Sequence, residues 1–221
     1  MLQEKSNIKV FIFDFDGTLV DSMPFFIKGV LKVLQDKNIS YGDDLIKNIT
    51  PLGLLGTANY FIENFNLEYS SEELVEIFKK NMYEEYFYHI PAKNNVIRVL
   101  KKLKNEGASL NVLTASPHEP LDACLKRLNM FDLFDNVWSC DDFNTTKADV
   151  NIYKMAAKKL GKQVEEILFL DDNFFSNKTA KQANMKVCGV YDESSSASIE
   201  QIKEITDFFI YDFSELLELK F

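Results

Sequence analysis

Short runs of aliphatic and aromatic residues recur at Ile8–Phe13, Leu110–Thr114, Val137–Cys140, Ile167–Leu170, Val187–Tyr191 and Phe208–Tyr211. Brief apolar runs bounded by polar segments predict β-strands. The unbroken apolar character of "VFIF" and "ILFL" predicts strands covered on both faces. Helical patterns lie between most of these runs: Asn95–Asn105 with Gly107 as terminator, Glu119–Leu128, and Val150–Leu160 stopped by Gly161. Strands alternating with helices predict an α/β fold, a doubly wound parallel sheet with helices on both faces.

Between the first run and the second the alternation stops. Residues 22–91 carry only helical patterns, in a crossover far longer than one helix requires. "PFFIKGVLKVLQDKN" is amphipathic, and "SSEELVEIFKKNMYEEYFYH" opens on a capping-box pattern, Ser70 to Glu73. The expected organisation is therefore an α/β domain from residues 1–21 and 92–221, with an all-helical domain, 22–91, inserted. Hinges are expected near Val20–Pro24 and Ile90–Asn94. The cluster Tyr83, Tyr86, Phe87 and Tyr88 reads as small-bundle core rather than a ligand cage. "DESSSAS", residues 192–198, reads as a polar surface loop.

With 221 residues, 46% of them hydrophobic, the chain can bury a full core. A net charge of −9 argues against nucleic acid or an anionic membrane as partner, because either would need a basic patch. The N-terminus has no apolar signal core, and no run approaches a membrane span. Cys124, Cys140 and Cys188 lack metal-ligand spacing and are odd in number, as expected of reduced thiols in a cytoplasmic protein. His89 and His118 are the only histidines, which excludes a histidine-rich zinc site and leaves carboxylates as metal ligands.

Ligands of open α/β sheets bind beyond the carboxyl ends of the strands. There the first strand delivers Asp14 and Asp16, the second Thr114, Ala115 and Ser116, and "EILFLDDN" delivers Asp171, Asp172 and Asn173; Lys147 follows "NVWSC", just before a helix. Buried carboxylates are costly unless a cation compensates them. Mg²⁺ takes a few carboxylates and keeps waters for the rest of its octahedron. A carboxylate can attack phosphorus, splitting hydrolysis into two easier steps, and the moving phosphoryl oxygens need fixed positive and hydrogen-bonding partners. Gly17 lets the backbone approach that group, with Thr18 opening the next segment. His118, after "TASP", is a candidate for substrate contact or simply the start of a helix.

"DFDGTLVDS" resembles motif I of the haloacid dehalogenase superfamily, and the order of the other motifs agrees. The helical insertion resembles the cap of its phosphoglycolate phosphatase-like and β-phosphoglucomutase-like subfamily, and the likeness covers nearly the whole chain. It implies a Rossmann-like core carrying an inserted cap, with Mg²⁺ as cofactor. Asp14 would be nucleophile and metal ligand, and Asp16 general acid/base with its backbone carbonyl on the metal. Thr114 would hydrogen-bond the phosphoryl group, and Lys147 would pair with that group and Asp14. Asp172 would be the second acidic metal ligand, helped by Asp171. Gly17, Thr18, Ala115, Ser116 and His118 are the candidate phosphate- and substrate-binding positions.

Two stretches depart from the family pattern. Its usual G-K-P-x-P-D-x-Y reads "TKADVNIY" here: Lys147 and Tyr153 keep register, while both prolines and the aspartate are lost. Where G-D-x-x-x-D members carry a further acid, this chain has Ser176, so Asp171 is expected to supply that charge. The expected function is a Mg²⁺-dependent phosphatase acting on a small phosphorylated metabolite through an aspartyl-phosphate, in a monomer. The rival within the family is a sugar phosphomutase. A non-enzymatic receiver would order its acidic pair first and lack the insertion; a binding protein would not need an intact motif I. "TPLGLLGT", residues 50–57, resembles the cap's substrate-specificity loop, and no arginine occurs between Ser22 and Pro91.

Overall fold

The structure, a computed structural model, describes residues 8–42, 44–49 and 52–219. Residues 1–7, read above for a signal core, and Thr50 and Pro51 of "TPLGLLGT" lie outside them. The chain divides into two compact units, one formed by the stretches up to Asp21 and from Pro91 onward, the other by Ser22–Ile90.

The first unit is built on six parallel strands, β1 (Val10–Phe13), β2 (Ser109–Thr114), β3 (Asn136–Ser139), β4 (Ile167–Asp171), β5 (Lys186–Val190) and β6 (Phe208–Ile210). Their order is β3-β2-β1-β4-β5-β6, so the chain winds outward from β1 on one side and then returns to its other side at β4. That reversal makes the carboxyl ends of β1 and β4 the switch point, where a crevice opens in a doubly wound sheet. All four residues of β1 are buried, as a strand covered on both faces requires. Val10 and Ile12 join Ile152, Tyr153, Phe169 and Val187 in one cluster. Phe13 instead meets the rings of Phe134 and Phe213, with centroids 6.3 and 6.1 Å away.

Helix α5 (Val96–Asn105) buries Val96, Val99, Leu100 and Leu103, the three-and-four spacing of one helical face, and exposes Lys101 and Lys102. The other helices of this unit are α6 (His118–Arg127), α7 (Val150–Lys159), α8 (Phe174–Gln182) and α9 (Ile199–Ile205). Gly107 and Gly161 follow helices at φ +81° and +64°. Asn66, Asn129 and Asn184 turn the chain in the same left-handed region, at φ 50°, 55° and 68°. Asparagine tolerates that conformation through local hydrogen bonding.

The second unit contains α1 (Met23–Asp36), α2 (Leu45–Ile49), α3 (Gly53–Phe65) and α4 (Ser71–Tyr88). Its core gathers Leu34, Ala58, Phe61, Leu74 and Phe78, and Phe61 stands edge-on to Phe65 and Phe78 at 5.6 and 5.5 Å. The capping box at Ser70 is present: its hydroxyl accepts from the Glu73 N–H, and the Glu73 carboxylate accepts from the Ser70 N–H. Two expectations are corrected. Residues 53–57 of "TPLGLLGT" form the first turns of α3 rather than a loop, anchored by the buried Thr57 hydroxyl against the Ile49 carbonyl. Of the aromatic cluster on α4 only Tyr86 is buried; Tyr83 and Phe87 are half-buried and Tyr88 is exposed, because successive helical positions fan around the axis.

Packing at β5 generates a stability prediction. A Cβ on Gly189 would stand 2.5 Å from Ile202 Cγ2 and 2.7 Å from the Phe209 ring, whereas one on Gly42 meets nothing within 4 Å. Gly189→Ala should therefore destabilise by about 1–3 kcal/mol through overpacking. Gly42→Ala should stay within about 0.5 kcal/mol of the parent. Urea unfolding, with the midpoint compared at constant m-value, measures both.

Candidate active site

β1 and β4 are neighbours in register, Phe13 opposite Leu170, and the Asp14 N–H continues the ladder to the Leu170 carbonyl at 2.8 Å. The next residues, Asp14 just after β1 and Asp171 at the end of β4, are thereby carried side by side at the strands' carboxyl ends, and both are buried. Lys147 reaches between them: its Nζ lies 2.6 Å from Asp14 Oδ1 and 2.7 Å from Asp171 Oδ2. Asp171 Oδ1 accepts from the Asn173 N–H, and the Asn173 side chain caps α8 through the N–H groups of Phe175 and Ser176.

Asp172 is held from two other loops. The Thr18 hydroxyl donates to its Oδ1 at 3.3 Å and the Ser195 hydroxyl to its Oδ2 at 3.0 Å. Gly17 packs directly beneath it, at φ +74°, and a Cβ there would fall 2.7 Å from Asp172 Oδ2. Both the dihedral and the approach therefore require glycine. Asp16 is half-buried and accepts from the Ser116 hydroxyl at 2.5 Å, while the Ser116 N–H donates to the hydroxyl of buried Thr114.

The loop bearing Lys147 lacks the prolines of the family pattern, and hydrogen bonds hold it instead. The Thr145 hydroxyl donates to Asp149, which caps α7 through the Asn151 N–H. The buried Tyr153 hydroxyl lies 3.0 Å from the carbonyls of both Lys147 and Ser176, tying this loop to α8.

One carboxylate oxygen from each of Asp14, Asp171 and Asp172 lies within 4.8 Å of the others. Three buried carboxylates thus face one ammonium. Burial, with Asp171, Asp172 and Asp16 nearby, holds Asp14 well above the usual carboxylate range despite Lys147. Burial and the charges of Asp171 and Asp192 push Asp172 up to about 7. Burial opposes the charge on Lys147, but Asp14 and Asp171 outweigh it and hold the ammonium well above the ordinary lysine value. Negative charge in excess of one lysine, with oxygen donors alone, fits a hard divalent cation.

Other candidates are placed differently. Ala115 is exposed beside Ser116. His118 begins α6, with Nε2 2.9 Å from Asp142 Oδ2 and Nδ1 3.3 Å from Asp122 Oδ1, so both ring nitrogens already have carboxylate partners. Ser195 and Tyr153 were not among the sequence candidates. Tyr153 carried a signal in its register after Lys147, whereas nothing local singles out Ser195 within a polar run. The three cysteines are free and buried, and no helix among the described residues is long and apolar enough to cross a membrane.

With this geometry in view, residues 11–190 match the family model described as haloacid dehalogenase-like hydrolase, and the chain belongs to that family. It is accordingly an enzyme, a hydrolase. The chain is similar to the phosphoglycolate phosphatase of Aquifex aeolicus, at 26% identity over 81% of this chain and 83% of that one. It is also similar to the pyrophosphatase PpaX of Bacillus velezensis, at 25% identity over 83% of each. Among solved structures, magnesium-bound YfnB of Bacillus subtilis superimposes with a TM-score of 0.80 over 96% of this chain and 97% of that one; at 14% identity this likeness concerns the fold.

The ring of His118 yields a titration prediction. Hydrogen bonds to Asp142 and then Asp122 outweigh partial burial and raise its pKa from 6.5. The contribution to stability is fully present below the unfolded value, about pH 6.5, and is lost as pH rises through the raised folded value. An NMR titration of the ring should give a midpoint above 6.5 that falls in Asp142→Asn. The stability difference between the two proteins should be largest at acid pH and shrink as pH rises.

Proposed function

We propose that this hydrolase is a Mg²⁺-dependent phosphatase that cleaves small phosphate monoesters through an aspartyl-phosphate on Asp14. The observation that carries this reading is the Lys147 ammonium set between Asp14 and Asp171 at the switch point, with Asp172 beside them. The names of the two relatives, a phosphoglycolate phosphatase and a pyrophosphatase, support phosphate-ester or anhydride hydrolysis. The magnesium in YfnB, a protein of the same fold, supports the choice of ion. Asp14, Asp171 and Asp172, with the Asp16 backbone carbonyl, would hold it. When bound, Mg²⁺ offsets the charge of the carboxylates and of the phosphoryl oxygens.

The residues then divide the work. Lys147 holds Asp14 Oδ1, orienting the carboxylate for attack on phosphorus. As the bond from phosphorus to the leaving oxygen breaks, Asp16 gives that oxygen its proton. Water then attacks the same phosphorus, Asp16 takes the water's proton, and phosphate leaves as the Asp14 carboxylate is restored. The Ser116 hydroxyl fixes the Asp16 carboxylate for both transfers. Thr114 and Lys147 grip the phosphoryl oxygens, and the backbone at Gly17 and Thr18 comes close to them. Ala115 and Ser116 line the approach, and His118 stands at its edge. The three free, buried cysteines support a cytoplasmic location, and we read the protein as a monomer.

The phosphomutase reading needs a second cationic grip for the distal phosphate of a bisphosphate, for which a bidentate arginine is best suited. The insertion has no arginine. Four of its lysines are engaged: Lys28 with Glu85, Lys32 with Asp36, Lys79 with Glu76, and Lys37 over the Tyr69 ring. Hydrolysis is therefore preferred to isomerisation.

Single-turnover kinetics on an activated aryl phosphate with Mg²⁺ test the mechanism. Asp14→Asn should abolish turnover, since an amide forms no acyl phosphate. Asp16→Asn should lower it by about 10²–10⁴-fold, the scale of general acid–base catalysis. Near-normal turnover in Asp14→Asn would sink the mechanism. A separate assay supplies β-glucose 1-phosphate with a trace of glucose 1,6-bisphosphate. Inorganic phosphate should accumulate, and faster appearance of glucose 6-phosphate would favour the mutase.

A further inference from the structure

We infer that Lys93 is a positioning residue that locks together the two loops holding Asp172, and thereby sets the affinity of the site for Mg²⁺. The inference rests on the proposal that Asp172 is a metal ligand.

Lys93 lies just after the chain re-enters the α/β unit. Its N–H donates to the Leu19 carbonyl, beside an antiparallel bridge between Val20 and Ala92. Its side chain turns back into the unit and is largely covered, 19% exposed. There Nζ meets three acceptors: the Gly17 carbonyl at 2.7 Å, the Tyr191 carbonyl at 2.5 Å and Asp192 Oδ2 at 2.9 Å. An ammonium has three protons, so each is engaged and none remains for a substrate oxygen. Lys93 is thereby suited to hold protein groups rather than ligand.

The three acceptors belong to the two loops that grip Asp172. The Gly17 carbonyl sits in the peptide unit leading to Thr18, whose hydroxyl donates to Asp172 Oδ1. Tyr191 and Asp192 begin the loop carrying Ser195, whose hydroxyl donates to Asp172 Oδ2. Asp192, itself buried, accepts at Oδ1 from the N–H and hydroxyl of Ser194, fixing the short turn that presents Ser195. Asp172 thus has one oxygen tied to each loop, and Lys93 ties the loops to each other.

A buried ion pair gives little net stability over a well-packed apolar substitute, because desolvation offsets its attraction. The distinctive effect of this one is geometric: it sets the separation of Thr18 and Ser195, and so the orientation of the carboxylate between them. Hydrogen-bonding partners behind a ligand commonly change metal affinity about 10–100-fold when removed.

Calorimetric titration of the protein with magnesium chloride tests the inference without a substrate. Lys93→Met and Ser195→Ala should each weaken Mg²⁺ binding about tenfold or more. The double variant should lose less than the product of the two, since both act on one carboxylate. In parallel phosphatase assays, Lys93→Met should need correspondingly more Mg²⁺ for half-maximal rate, with the KM for the ester at saturating Mg²⁺ little changed. Parent-like affinity in folded Lys93→Met, with Asp172→Asn weakened, would overturn this role alone. Parent-like affinity in Asp172→Asn would overturn the ligand reading and this role with it. Should Lys93→Met not fold, Ser195→Ala and Asp192→Asn decide: tenfold weaker binding in both upholds the network, and parent-like affinity in either rejects it.

Discussion

The ion pair that Lys147 makes with Asp14 and Asp171 is the contact around which the α/β unit is organised. Two carboxylates at the ends of adjacent central strands would repel each other in surroundings that solvate neither. The ammonium between them, 2.6 and 2.7 Å from their oxygens, relieves part of that repulsion. It does not relieve all of it, because Asp172 adds a third buried carboxylate to the group. Burial first, and the neighbouring carboxylates after it, displace Asp14 and Asp172 upward. A buried site left short of positive charge fits a hard cation with oxygen ligands.

Much of the surrounding structure keeps that group in place. The parallel register of β1 with β4 delivers Asp14 and Asp171 to the same level. Tyr153 ties the Lys147 loop to α7 through the Lys147 carbonyl. Gly17 permits its loop to lie against Asp172 at a distance no side chain would allow. Each support comes from a different element, and the sheet brings them within reach of one another.

The helical insertion follows simpler rules. Its core is a cluster of aliphatic and aromatic side chains at helical spacing, and its lysines are largely engaged with local acidic or aromatic partners. The reading of "TPLGLLGT" as a loop rested on its place between helices and on its resemblance to a family loop, neither of which reports local backbone conformation. The segment is instead helical from Gly53, where contacts along α3 outweigh weak local propensity. The asparagines that end helices were passed over for a related reason: asparagine is common in polar segments, and only the backbone conformation distinguishes one at positive φ.

What the sequence by itself determined was the alternation of strands and helices, the helical interruption after the first strand, and the carboxylates and lysine at the strand ends. Those features are written in local periodicity and in short motifs, because burial of one face dictates residue spacing. The tertiary structure alone decided that Thr18 and Ser195 share Asp172, that Lys93 joins their loops, and that both nitrogens of His118 face carboxylates. Thr18 and Asp172 are 154 positions apart, and Lys93 and Asp192 are 99 apart. No periodicity spans such separations. These contacts exist because strands packed in a fixed order bring the loops at their ends together, and a serine or lysine in a polar stretch carries no local mark of the partner it will meet.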